Sequence, residues 1–271
     1  MTTRGGALPR GLLSLDEPVV TGGAARHEFR MAGADGPISG TLVTPLAASP
    51  GMPALILGHD LASDHRTERY VDLACEYARR DGLAVAILDG PFHGDRQAAS
   101  VAAAEPGPER FALLRGELSK LGQSNAMSAD WKLLVDVLIT LPQVMASRIG
   151  FEAVSMSALL GVTFVAEEPR VHCAVFHVIG IRTGDRSTVA GPELGGDHFA
   201  ATVAGIGDRP VQLLACTGDE LFSRASSELF FDTLTGENKE LIVLPGVHFD
   251  PPVKPIAGRD YAAAFFRRHL I

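Results

Sequence analysis

Short, continuous apolar runs alternate along the chain with longer stretches whose apolar residues recur every three or four positions. The runs at 53–58, 83–89, 171–179 and 211–216 carry no polar alternation, as expected of strands covered on both faces of a parallel sheet. Segments 27–31 and 38–43 read as a leading strand pair joined by the Gly-rich turn 32–36, and 148–154 and 240–244 read as further strands. Between them, 67–80 reads as a helix. Tyr70, Leu73, Ala74 and Tyr77 lie at helical spacing, Arg79 and Arg80 fill the last turn, and Gly82 ends it. Segment 127–141 predicts an amphipathic helix with Trp131, Leu134, Val135 and Leu138 on one stripe and Asp130 in its first turn. Helices are also expected at 156–167, around 226–234 and at 259–269. Two polar stretches interrupt the alternation. Residues 96–122, broken at Pro106-Gly107-Pro108, read as a surface excursion with some helix, and 182–209 as loop with a short helix at 198–203. The regular alternation predicts an α/β fold with a mostly parallel central sheet flanked by helices. No repeat or linker divides the chain, so 26–271 is expected to be one domain, preceded by an extension at 1–25.

Composition narrows this picture. With 46% hydrophobic residues among 271, the chain has material for a large core and does not read as disordered. Its 24 basic and 32 acidic residues leave a net charge of −8, and no basic stripe with interleaved aromatics is present, which argues against nucleic acid as a partner. No apolar run approaches the roughly 20 residues of a membrane span, and residues 1–17 lack the apolar block of a secretory signal. Cys75, Cys173 and Cys216 form no CxxC spacing and sit among apolar neighbours, as buried reduced thiols of a cytoplasmic protein would. His172 and Cys173 are adjacent strand residues facing opposite ways, so they do not make a metal pair, and no metal site is expected. A monomer or homodimer fits this composition.

The chemistry concentrates in Ala153-Val154-Ser155-Met156-Ser157, where a strand runs directly into a helix. A serine on such a tight turn needs small residues two places away on each side, because larger side chains would strike the neighbouring strand and helix. Here Ala153 and Ser157 stand where the usual pattern has glycine. A serine at a helix start is also a common N-cap, so the assignment needs partners. They occur in order: Asp219 follows the strand 211–216, and His248 lies on the loop after 240–244. Parallel strands gather their carboxyl ends along one edge, which brings such loops together. Glu220 and Asp250 are alternative acids, and Asp185, after the strand 171–179, is a weaker one.

With Leu57-Gly58-His59-Asp60-Leu61 and Leu88-Asp89-Gly90-Pro91-Phe92-His93-Gly94-Asp95-Arg96, these segments resemble the α/β-hydrolases. The likeness is to the compact serine esterase or dienelactone-hydrolase-like kind, it runs from about residue 27 to the C-terminus, and it implies a small lid at about 180–209. Asp60 stands where that family usually has glycine.

The resemblance implies that Ser155 attacks an acyl carbonyl, His248 takes its proton and Asp219 holds the imidazole. It also implies that the amides of Met156 and of Leu61 or Asp60 bind the developing oxyanion. His59 and Phe111 are the expected substrate contacts, with Leu113 and Leu114 beside Phe111. His59 and His93 are better suited to holding their loops by hydrogen bonds than to chemistry, and His177 to a place in the core. The expected substrate is a small or medium carboxylic ester, with no cofactor, since the three side chains supply both nucleophile and base. Acyl transfer, amide or peptide cleavage and carbon–carbon bond hydrolysis use the same side chains. A non-catalytic ligand-binding protein is the reading from another class.

Overall fold

Continuous apolar runs become the strands of one sheet. The computed structural model describes residues 11–47, 50–105, 107–120, 126–181, 197–249 and 256–271. In chain order these form β1 (Leu12–Leu15), β2 (Val19–Thr21), β3 (Ala24–Gly33), β4 (Gly36–Pro45), β5 (Met52–Gly58), α1 (Glu68–Asp81) and β6 (Ala84–Leu88). Next come α2 (Ala99–Ala103), α3 (Pro108–Lys120), α4 (Ala126–Leu138), β7 (Val144–Val154), α5 (Met156–Glu167) and β8 (Val171–His177). The chain closes with α6 (Asp197–Ala204), β9 (Val211–Cys216), α7 (Arg224–Thr233), β10 (Lys239–Leu244) and α8 (Ile256–His269).

Among the described residues the sheet has ten strands in the order β1-β3-β4-β6-β5-β7-β8-β9-β10, with β2 also paired to β3. The strands from β6 to β10 are mutually parallel, whereas β4 meets both β3 and β6 antiparallel. The α/β expectation therefore holds, with an antiparallel flank at the N-terminal side.

Residues 12–15 and 19–21, part of the stretch read as an extension, belong to the sheet edge through β3. Their half-exposed patterns lack the apolar continuity of the inner strands. The excursion at 96–122 contains α2 and α3. Of the expected lid, residues 182–196 lie outside the described residues, and 197–204 form α6.

Helices cover both faces. One face packs α4 to α7 around Trp131, Phe151, Phe164, Phe176 and Phe230, whose rings contact one another at centroid distances of 4.9–6.0 Å. The other face packs α1 and α8 through Tyr70, Leu73, Tyr77, Phe265 and Phe266. Helix α1 ends as the sequence signals. Gly82 adopts φ 71°, where a side chain would be strained, and its N–H bonds the Tyr77 carbonyl. Asp130 does not support a helix start. It lies inside α4 and pairs with Arg96 at 2.6 Å, tying α4 to the loop after β6. Cys75, Cys173 and Cys216 are buried free thiols. No helix among the described residues is long and apolar enough to cross a membrane.

A buried polar strut braces the loop after β5. His65, fully buried, lies 2.6 Å from Asp89 and 3.1 Å from Glu28. Burial alone would push this imidazole down, but the bonds to Asp89 and Glu28 override it and raise its pKa to about 9. Its stabilising contribution is therefore complete below the ordinary histidine value and fades as pH rises through about 9. We predict that His65→Gln lowers stability by on the order of 3 kcal/mol near neutrality, a deficit that shrinks under alkaline conditions. Denaturant unfolding of both proteins across that range checks it; a pH-independent difference would refute the strut's charged state.

Candidate active site

The strand order makes the site. From β5 the chain crosses through α1 to β6 on one side and later returns to β7 on the other, so the carboxyl ends of β5 and β7 flank a switch point where clefts form. Register then sets the neighbours. Gly58 lies across from Ala153, Val154 from His177, His177 from Leu214, and Cys216 from Leu244. The loops that follow thus leave the sheet side by side.

At the end of β7 the backbone turns sharply. Ser155 has φ 53° and ψ −109°, a conformation rare for a residue with a Cβ, and α5 starts at the next residue. Its N–H bonds the His177 carbonyl at 3.0 Å. The side chain does not cap the helix. Instead Ser155 Oγ lies 2.7 Å from His248 Nε2.

His248 Nδ1 is 3.1 Å from each carboxylate oxygen of Asp219. Asp219 is fixed in turn, since its Oδ1 accepts from the N–H groups of Leu221 and Phe222 at 2.8 Å. Serine, imidazole and carboxylate, expected from three separate loops, stand in one hydrogen-bonded chain. Both partner side chains are almost fully buried. Glu220 makes a different contact, accepting the His248 backbone N–H at 2.7 Å. Asp185 and Asp250 lie outside the described residues.

The loop after β5 corrects two expectations. Asp60 cannot lend its amide to an oxyanion, because that N–H donates to the Tyr70 hydroxyl at 3.0 Å. Nor does its carboxylate stand as a loose negative charge beside the site. It pairs with Arg69, accepts from the Tyr70 hydroxyl at 2.8 Å, and receives the Ala62 N–H and the Ser63 hydroxyl at 2.9 Å. His59 is no substrate contact. It is fully buried, its Nδ1 donates to the Asp60 carbonyl at 2.7 Å, and its Nε2 accepts the Gly90 N–H at 2.9 Å. Burial pushes its pKa down to about 3, so the ring is neutral. His93 likewise holds loops, with Nε2 2.9 Å from the Leu61 carbonyl and Nδ1 2.7 Å from that of Pro91. His177 is a core residue, 2.9 Å from Glu152, which also accepts from the Tyr77 hydroxyl at 2.7 Å. The amides of Leu61 and of Met156, the latter at the start of α5, make no recorded hydrogen bond with a described group.

Apolar side chains surround this chain of polar groups. Leu61 and Met156 pack with Val101 and Leu114 in one small cluster, against which Phe111, Leu113 and Leu160 lie. Phe111 reaches across to Phe249 at 6.0 Å between ring centroids, and Phe222 and Phe249 flank the His248 ring at 5.8 and 5.5 Å. Phe111 thus packs from α3 beside the Leu61 and Met156 side chains and against Phe249. Among the described residues no group of three His, Cys, Asp or Glu side chains is placed to hold a metal ion.

The contacts that the sequence did not reveal are those of Asp60 with Arg69 and Tyr70, of Glu220 with the His248 amide, and of Ser157 with His59. A glycine closing a buried strand often marks a close approach, and Gly58 was such a signal. A Cβ there would stand 2.6 Å from Ser157 Cβ and 3.0 Å from Ala153 Cβ. The room that glycines usually provide within the turn is provided here by the neighbouring strand.

No protein-family profile matches the chain, and no curated protein does. Solved structures do. A cold-adapted esterase from an Arctic intertidal metagenomic library, bound to PEG, covers 96% of this chain with all of its own at 21% identity and a TM-score of 0.75. A Pyrococcus furiosus esterase covers 94% with all of its own at 17% identity and TM-score 0.67. A dienelactone hydrolase from Anabaena variabilis covers 92% with all of its own at 17% identity and TM-score 0.62. At these identities the likeness is one of fold, and that fold is the α/β-hydrolase fold.

Proposed function

We propose that the protein is a serine hydrolase that cleaves small to medium carboxylic esters through an acyl-enzyme. The observation that carries this reading is the chain from Ser155 Oγ through His248 to Asp219, at 2.7 and 3.1 Å, on a strained strand-to-helix turn whose next residue, Met156, belongs to an apolar cluster. The structural relatives, two esterases and a dienelactone hydrolase, point the same way.

In the first half-reaction Ser155 Oγ attacks the ester carbonyl carbon as its proton passes to His248 Nε2. Asp219 keeps the Nδ1–H tautomer in place and stabilises the imidazolium that forms. The amides of Leu61 and Met156 receive the negative charge that develops on the carbonyl oxygen, and the latter sits at the positive end of α5. His248 then returns the proton to the leaving alkoxide as the carbon–oxygen bond breaks. In the second half water takes the place of the alcohol, its proton goes to His248, and the carboxylic acid leaves as Ser155 is restored. The apolar lining by Leu61, Met156, Phe111 and Phe249 suits an uncharged acyl or alkoxy group.

A fluorophosphonate probe should label the protein at Ser155, and p-nitrophenyl esters of short and medium chain should be turned over faster than the long-chain members or the matching anilide. A protein that neither labels nor hydrolyses any ester of the series would overturn the proposal. Labelling mapped to another serine would do so too.

A further inference from the structure

We propose that Ser157 is a positioning residue of this reaction: its hydroxyl fastens the loop carrying the Leu61 amide to the turn carrying Ser155, so that oxyanion donor and nucleophile keep one relative geometry. The inference rests on the hydrolase reading above and goes beyond it.

Serine hydroxyls in the first turn of a helix ordinarily cap it or bond nearby backbone. Ser157 does neither. Fully buried, it donates to the His59 carbonyl at 2.5 Å, across 98 residues of sequence. From that anchor each peptide unit up to Leu61 is held. The Asp60 N–H, in the same unit as the His59 carbonyl, donates to the Tyr70 hydroxyl at 3.0 Å. The next carbonyl, that of Asp60, accepts from His59 Nδ1 at 2.7 Å and from the Ser63 N–H at 3.2 Å. The amide of Leu61 belongs to that same unit. In a trans peptide the N–H points opposite to the C=O, so whatever holds the Asp60 carbonyl aims the Leu61 N–H.

Beside the packing of Leu61 on Met156, the hydrogen bond between this loop and α5 among the described residues is that of the Ser157 hydroxyl. A glycine at 157 would leave the His59 carbonyl, beside a fully buried ring, without that donor. The absence of a side chain at Gly58 is what admits Ser157, since a Cβ there would lie 2.6 Å from Ser157 Cβ and 3.1 Å from its Oγ. Serine at 157 and glycine at 58 therefore act as a pair.

A donor aimed at an oxyanion acts on charge present only in the tetrahedral state, so its misplacement lowers kcat and spares KM. The test is Ser157→Ala, which keeps the Cβ in its cradle and removes the hydroxyl. It is assayed on a short p-nitrophenyl ester and titrated with a trifluoromethyl ketone, which forms a tetrahedral oxyanion on the nucleophile. The expected kcat falls about 10- to 100-fold, with KM within about twofold of wild type and Ki for the ketone rising in step with the lost kcat. Near-ultraviolet circular dichroism should match wild type.

A kcat within about twofold of wild type would overturn the proposal, and so would a lost kcat with an unchanged ketone Ki. Should Ser157→Ala not fold, Ser157→Cys, which keeps the volume and donates weakly, is read by the same criteria. Failure of the hydrolase reading itself is separate, because it appears in the wild type as absence of fluorophosphonate labelling at Ser155.

Discussion

Replacing Ser155 by alanine is expected to lower kcat for a short p-nitrophenyl ester about ten-thousand- to millionfold, with KM little changed. The residue sits at φ 53° with its oxygen 2.7 Å from His248 Nε2. No other hydroxyl among the described residues is hydrogen-bonded to that nitrogen. Alanine shares the backbone cost of the turn, so the fold should persist, and the loss reads chemistry rather than folding. What activity remains would come from the amides of Leu61 and Met156 polarising the carbonyl for attack by water. Steady-state kinetics with active-site titration measures it, and covalent fluorophosphonate labelling should disappear in parallel. Labelling that survives the substitution, or a kcat lowered by less than about a hundredfold, would remove Ser155 from the mechanism.

Asp219→Asn should cost about ten-thousandfold in kcat at neutral pH, and the hydrogen bonds explain why so conservative a change does so much. Asp219 Oδ1 is held by the N–H groups of Leu221 and Phe222 at 2.8 Å. In the variant the amide oxygen keeps those two donors, which turns the NH2 group toward His248 Nδ1. A donor facing Nδ1 selects the tautomer with its proton on Nε2, and that nitrogen then presents N–H to Ser155 where a base is needed. The Glu220→Gln variant is the control, because Glu220 accepts a backbone N–H rather than facing the ring. Most of the activity should survive there. A loss under about tenfold in Asp219→Asn, or a far larger loss in Glu220→Gln, would move the acid role away from Asp219.

Some elements were legible because their determinants are local. Helix α5 and strand β9 have the bounds that apolar continuity between turn residues predicts, and α1 ends at Gly82 as its last-turn arginines and glycine signal. Strands β1 and β2 were not legible. They are short, half exposed, and paired with β3 at the sheet edge, so nothing in their own pattern marks them. Helices α2 and α3 lie in a polar stretch whose burial is limited to a few side chains such as Val101 and Leu114.

Asp60 illustrates the difference at the site. Read along the chain, it is a charge in a loop that usually has glycine. In space it is neutralised by Arg69, bonded to Tyr70, and organises the loop it belongs to. His59 was placed on the correct loop, but whether its ring meets substrate or backbone depends on Gly90, which arrives from the end of the next strand.

The sequence alone determined the order of the inner strands and of the helices between them, the strand-to-helix turn at Ser155, and the positions of Asp219 and His248 just beyond strand ends, since periodicity and turn chemistry act over a few residues. Tertiary structure alone decided that the Asp60 amide is taken by Tyr70, which carboxylate faces the imidazole, and that the space for the turn comes from Gly58. Those outcomes rest on hydrogen bonds and van der Waals contacts between segments up to about a hundred residues apart, and the direction of such a bond has no counterpart in local pattern.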